Sequence, residues 1–189
     1  RPAPVASAQQ RLHMLQLAVA EFPRFSVDDR EIRRGGPSYT VLTLESLRAE
    51  EGDRPLCLVL GLDAFLGLET WHRWREIPDL AHLVVLTRPG WVLDRLPAWA
   101  LGRQCADGAS LARSPAGRLF FLGVKPQNIS ATGIRTALAR GQPVQGLLDP
   151  LPHAIAPRLD DHAAADWAHL GHVGVADDGL IPFREGEPV

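Results

Sequence analysis

The chain has 189 residues, 46% hydrophobic and 22% charged, with a formal net charge of −2, which suits one α/β domain with a core, or one domain plus a tail. No apolar run reaches the roughly 18 residues of a membrane helix, so a helical span is excluded and no membrane partner is expected. Two cysteines, Cys57 and Cys105, are too few for a disulfide scaffold and match no zinc spacing, so a reduced, cytoplasmic setting is expected.

The opening "RPAPVASAQQ" carries no initiator Met and no apolar secretory core. In "SAQQRLHMLQLAVAEF" apolar residues recur at Leu12, Leu15, Val19 and Phe22, a helical stripe with Ser7 as its N-cap. "RFSVDDREIRR" alternates loosely and reads as extended. "GGPSYTVLTLESLRAEEG" opens on breakers, then shows a helical face of Val41, Leu44 and Leu47 and stops at Gly52. "PLCLVLG", "AHLVVLTRPG" and "GRLFFLGV" are short continuous apolar runs between helical segments. That is the pattern of buried parallel strands in an α/β layer fold. "DAFLGLETWHRWREIPDL" reads as one or two short helices, and 91–115 as an irregular surface excursion.

From Asp149 onward no period holds. This stretch carries four of the seven histidines, and two Arg against eight Asp and Glu. The residues before it therefore hold a surplus of four positive charges, a weak lean toward small anionic ligands, and no nucleic-acid partner is expected. A poorly structured or loosely docked tail is expected over 149–189, after a domain over 1–148.

Four segments carry chemistry. In "PQNISATGIRTALARG" a strand leads through a polar turn into a helix over 130–141. Ser130 and Thr132 fall where free N–H groups and the positive dipole end gather, and Arg135 follows a turn later. Together they make a phosphate cradle, or else an ordinary capped helix with a surface Arg. In "LVLGLDAFLGLETWHRW" a buried strand ends at Gly61 and Asp63 follows. Ligands of parallel sheets sit outside the carboxyl ends of the strands. Asp63 could bind a ribose or support a metal, or simply cap a helix. Trp71 and Trp74 could stack a heteroaromatic ring or fill the core. "GGPSYTVLTL" offers N–H groups before a helix to a carboxylate or phosphate, or a plain cap. Arg88 in "LTRPG" lies just past a strand, at the same edge as Asp63, as a ligand for anions or as a solvated side chain.

Taken together, "RPAP…QRLHMLQLAV", "DDREIRRGGPSYTVLTL", "LVLGLDAF", "TWHRWREI", "AHLVVLTRPG" and "NISATGIR" resemble the bacterial nicotinate-nucleotide adenylyltransferases, of the nucleotidyltransferase superfamily with the HxGH signature. The resemblance runs almost continuously from Arg1 to about Leu148. It implies a Rossmann-like three-layer α/β nucleotidyltransferase fold with a parallel sheet, here lacking the first βα unit. It also implies that Thr40, Trp71 and His72 bind the nicotinate end, with backbone N–H groups on the ring carboxylate and Trp71 stacked on the pyridine. The SxTxIR motif, here Ser130, Thr132 and Arg135, would bind the ATP phosphates. Gly61, Asp63 and Arg88 fall with it on the ATP side. The implied substrates are ATP, with Mg²⁺, and nicotinate mononucleotide. An adenylyltransferase for the amidated mononucleotide or for phosphopantetheine is the alternative within the superfamily.

The chain also departs from that family. The loop "GGTFDPxHxGH", whose histidines face the ATP phosphates, would precede Arg1 and is not among these residues, so catalytic residues stay unassigned. The family's ending, "LLPxxVxxYIxxxxLY", is replaced after "GLL" by "DPLPHAIAP", as a reading-frame slip near Asp149 would produce. The tail holds an HxGH tetrad in "AHLGH", and His169 and His172 would be the catalytic pair only in a circular permutation. The 189 residues are otherwise expected to be inactive or nearly so, a non-catalytic fragment with at most weak nucleotide binding.

Overall fold

Ser7 opens the first helix, α1 (Ala8–Val19). Its hydroxyl accepts from the Gln10 N–H while the Gln10 side chain accepts from the Ser7 N–H, a reciprocal capping box. The computed structural model describes residues 6–20, 22–87, 95–124, 133–134, 136–137 and 140–142, and the backbone of 172–176. The helix forms where the apolar stripe predicts it, but none of its residues is buried, and Met14 and Leu17 are more than half exposed.

The segment read as extended is partly helical: α2 spans Arg30–Arg34. Local side-chain chemistry overrides the loose alternation. An Asp28 carboxylate oxygen accepts from the Arg30 N–H at 2.8 Å, and Asp29 pairs with Arg33 one turn on. Arg30 then reaches Ser46 and Glu50, and Glu31 accepts from the buried Thr43 hydroxyl at 2.6 Å. All three partners belong to α3 (Thr40–Glu51), which buries Val41, Leu44 and Leu47 as the sequence predicts and ends at Gly52 with φ 58°. The turn between α2 and α3 contains Gly35 and Gly36, both at positive φ.

The three apolar runs are strands: β1 (Leu56–Gly61), β2 (His82–Thr87) and β3 (Leu119–Gly123). All pair in parallel, from Cys57↔His82 to Gly61↔Leu86 and from Leu83↔Leu119 to Thr87↔Gly123. Between β1 and β2 lie α4 (Leu62–Leu66), two 3-10 turns and α5 (Ile77–Leu80). Alternation sorts the strand residues by face. Leu56, Leu58, Leu60, Leu83, Val85 and Leu119 pack on α3, α4 and α5 in the larger core. Cys57, Val59 and Val84 meet Leu111 on the other face. This is a parallel sheet between covering layers, consistent with the Rossmann-like fold the motifs imply.

Two regions depart from expectation. The span read as a surface excursion enters both cores: Ala100 and Leu111 are fully buried, and Trp99 packs on Phe65 and Trp74. Its 3-10 turns hide apolar residues at spacings that match neither helix nor strand. The stretch expected to lack regular structure supplies β4 (His172–Ala176), parallel to β1 from Leu56↔His172 to Leu60↔Ala176, so the sheet order is β3-β2-β1-β4. Pairing there satisfies backbone groups that β1 would otherwise present at a sheet edge. The rest of 149–189 lies outside the described residues.

Where the strands begin, the structure is tied by two side chains. The Arg48 guanidinium donates to the carbonyls of Gly52, Arg54, Leu80 and Pro115 at 2.6–2.8 Å. Its partial burial pushes its pKa down. His82 is fully buried; Nε2 lies 2.7 Å from the Ser114 carbonyl, and Nδ1 accepts from the Arg118 N–H at 3.0 Å. That pairing fits the neutral ring with its proton on Nε2. Burial pushes the His82 pKa down, and the Cys57 thiol up. Cys57 and Cys105 are both free thiols.

Candidate active site

Parallel pairing brings the carboxyl ends of β1, β2 and β3 to one edge, because Gly61 lies beside Leu86 and Thr87 beside Gly123. That edge is where α/β sheets hold ligands. Gly61 is exposed and is itself the N-cap of α4, so Asp63 is not the cap. Asp63 sits exposed in the first turn of α4, at the sheet edge. Arg88 directly follows β2, and Ser130, Thr132 and Arg135 follow β3; these four lie outside the described residues. Helical backbone is described at 133–134 and 136–137, and the turn at 140–142 falls where the sequence predicts the helix to end. Gly141 has φ 66°, and the Gln142 N–H donates back to the Ala137 carbonyl at 2.9 Å, a Schellman closure.

A second cluster forms at the start of α3. Tyr39 is its N-cap residue and makes no side-chain cap bond, so the first-turn N–H groups at Thr40 and Val41 are not covered by a cap. The exposed imidazole of His72 stacks on the Tyr39 ring, with centroids 4.1 Å apart and planes 25° apart. "SYT" and "TWHRW", 33 positions apart in the chain, therefore meet. Thr40 is half-buried beside that stack, and Trp71 is half-buried with its ring packed against the larger core. Trp74 is also half-buried, carrying Trp99 at 5.7 Å and the Arg75 guanidinium at 4.9 Å. The two tryptophans thus differ in partners rather than in burial.

The turn carrying Trp71 and His72 is held on one side by Arg73. Its guanidinium donates to Glu45 of α3 at 2.6 Å and to both carboxylate oxygens of Glu76. The hydrogen bonds it donates to Glu76 and Glu45 hold the Arg73 pKa up, and accepting from Arg73 holds the Glu76 carboxyl below the usual carboxylate range.

Of the tail histidines only the backbone of His172 is among the described residues. His169 lies outside the described residues. His172 is the register partner of Leu56, at the start of β1 and so at the edge opposite Gly61 and Asp63. A five-residue strand at about 3.3 Å per residue separates the two edges by roughly 13 Å. β4 thus takes a place in the sheet with the backbone of His172 at the end of β1 away from Gly61 and Asp63.

A cytidylyltransferase-like family model matches residues 1–137. A probable nicotinate-nucleotide adenylyltransferase of Methylococcus capsulatus is 48% identical over 152 residues, covering 78% of this chain and 72% of that protein. One from Halorhodospira halophila is 47% identical over 163 residues, covering 84% and 73%. One from Serratia proteamaculans is 45% identical over 154 residues, covering 78% and 70%. The chain belongs to the nicotinate-nucleotide adenylyltransferase family. It is thus a transferase by family, of the class that acts on nucleotides in NAD biosynthesis. Among the described residues no helix is long and apolar enough to cross a membrane, and no group of three His, Cys, Asp or Glu side chains is placed to hold a metal.

Two residues of this second cluster escape local sequence reasoning. Tyr39 stands inside a quoted motif, yet its partner is 33 positions away. Arg73 reads as one more surface cation, and its left-handed backbone, φ 52° and ψ 36°, has no signal in the sequence, since glycine is the residue that advertises such a turn.

Proposed function

We propose that the chain serves adenylyl transfer from ATP to nicotinate mononucleotide, giving the deamido dinucleotide and pyrophosphate. The observation that carries the assignment of the acceptor is the Tyr39–His72 stack. It sets the uncapped start of α3 beside the turn of Trp71 and His72. Backbone N–H groups at Thr40 and His72 would hold the ring carboxylate, an anion at a helix N-terminus. Trp71 would offer a ring face to the pyridine.

The phosphate oxygen of the mononucleotide would attack the α-phosphorus of ATP. A new P–O bond forms as the bond between the α-phosphorus and the bridging oxygen breaks, and pyrophosphate leaves with that electron pair. Such a transfer asks for positioning and charge stabilisation more than for covalent chemistry. Gly61, Asp63 and Arg88 would frame the ATP side at the strand ends, and Ser130, Thr132 and Arg135 would cradle its phosphates. Mg²⁺ would arrive with the triphosphate as part of the substrate and neutralise its charge. We place the reaction in the cytoplasm, in keeping with two free thiols.

The test is an acceptor panel with MgATP, reading pyrophosphate release and acceptor binding together. Nicotinate mononucleotide should bind at least tenfold more tightly than its amide or phosphopantetheine, and should be the acceptor turned over, however slowly. Preference for the amide or for phosphopantetheine would overturn the assignment.

A further inference from the structure

Arg73 is the one non-glycine residue at positive φ among the described residues. A β-carbon disfavours that backbone, and such residues persist where their surroundings hold them, often at functional sites. Here the holders are two carboxylates from different elements. Glu76 lies three residues on, in the next 3-10 turn, and Glu45 lies on α3, five residues after Thr40. His72, the preceding residue, rests its ring on Tyr39 at the start of the same helix. The turn is therefore pinned to α3 at two points, ring on ring at its first turn and an ion pair more than a turn further along.

We infer that Arg73 is a positioning residue for the mononucleotide: its ion pairs with Glu45 and Glu76 hold the Trp71–His72 turn against the start of α3, so that the carboxylate site is assembled before the ligand arrives. The inference rests on the reading of this cluster as the nicotinate end. It makes a distinction that backbone shape alone would not. Glycine at position 73 would adopt the same turn without strain but would supply no anchor. If shape were the whole role, glycine would serve as well as arginine. If anchoring is the role, glycine frees the turn and binding suffers.

The experiment compares the wild-type chain with Arg73→Gly, Arg73→Lys and Glu45→Gln. It measures nicotinate mononucleotide affinity, ligand-free amide exchange over 68–76, and the thermal midpoint. Arg73→Gly should weaken binding about tenfold, as a site assembled a tenth of the time requires, and should speed exchange at 70–74. The thermal midpoint should stay close to wild type, because the pairs lie at the surface. Arg73→Lys should recover part of the affinity by keeping the charge without the two-pronged geometry. Glu45→Gln should fall between. Wild-type affinity in Arg73→Gly would overturn the inference alone, as would a loss matched by a general fall in the midpoint. A wild-type chain that binds no mononucleotide would overturn the reading of the site, and this inference with it.

Discussion

The two edges of the sheet are built differently. Where the strands begin, side chains close the structure: Arg48 gathers four backbone carbonyls and His82 bridges Ser114 and Arg118. Where they end, Gly61 and Asp63 are exposed, and the neighbouring start of α3 has no side-chain cap. The first edge spends its polar groups on the fold itself. The second leaves Gly61 and Asp63 exposed and the start of α3 without a side-chain cap. The same parallel strands thus separate stability from ligand chemistry by direction alone.

If that contrast holds, the largest stability effect belongs to the first edge. Arg48→Ala should cost roughly 3 kcal/mol, the scale for several partly buried carbonyls losing their donor. Urea unfolding would measure it, and mononucleotide affinity of the folded protein should be unchanged. A variant that keeps its stability but loses affinity would invert the comparison.

His82 gives the next effect, and it depends on pH. Burial first of all pushes its pKa below the ordinary value of 6.5, with only partial compensation from backbone hydrogen bonds. The unfolded chain therefore binds a proton near pH 6.5 that the folded chain takes up only at lower pH. Stability from this group is full above about pH 6.5 and declines as pH falls toward the lowered folded value, by at most about 1.4 kcal/mol per pH unit. Urea midpoints at pH 7.5 and 5.5 should differ in that direction, and His82→Gln should reduce the difference while lowering stability at both.

At the second edge the ordering reverses. Trp71→Ala should weaken mononucleotide binding by about 1–3 kcal/mol, the range for aromatic stacking on a base. Its stability cost should be smaller than that of Arg48→Ala, because Trp71 is half-buried. Calorimetric titration checks the first and thermal unfolding the second; equal affinity would reject the stacking role. Asp63→Asn is the mildest case. It should leave stability within about 0.5 kcal/mol, as for exposed positions, while ATP affinity falls by roughly 1 kcal/mol through loss of a charged acceptor.

Much of the frame is written in local pattern. The three strands announce themselves as apolar runs, α1 by its capping residues, and α3 by the face of Val41, Leu44 and Leu47. Loose alternation misled at α2, where it was a weaker signal than Asp28 accepting from the Arg30 N–H and Asp29 pairing with Arg33. Ala100 and Leu111 were invisible as core residues because 3-10 turns set no long period. The candidate site was legible as motifs but not as contacts. Thr40, Trp71 and His72 could be named, whereas the Tyr39–His72 stack and the Arg73–Glu45 pair need the fold to bring distant segments together. β4 lay beyond local reasoning for the same reason: its five residues owe their order to a neighbour more than a hundred positions away.

The most direct test is amide hydrogen exchange with and without nicotinate mononucleotide. On this account the ligand slows exchange at 40–41 and 71–73, and leaves 48–54 and 114–118, around the Arg48 and His82 clamps, unchanged. Protection confined to those clamps, or no protection at 40–41 and 71–73 at saturating ligand, would contradict it.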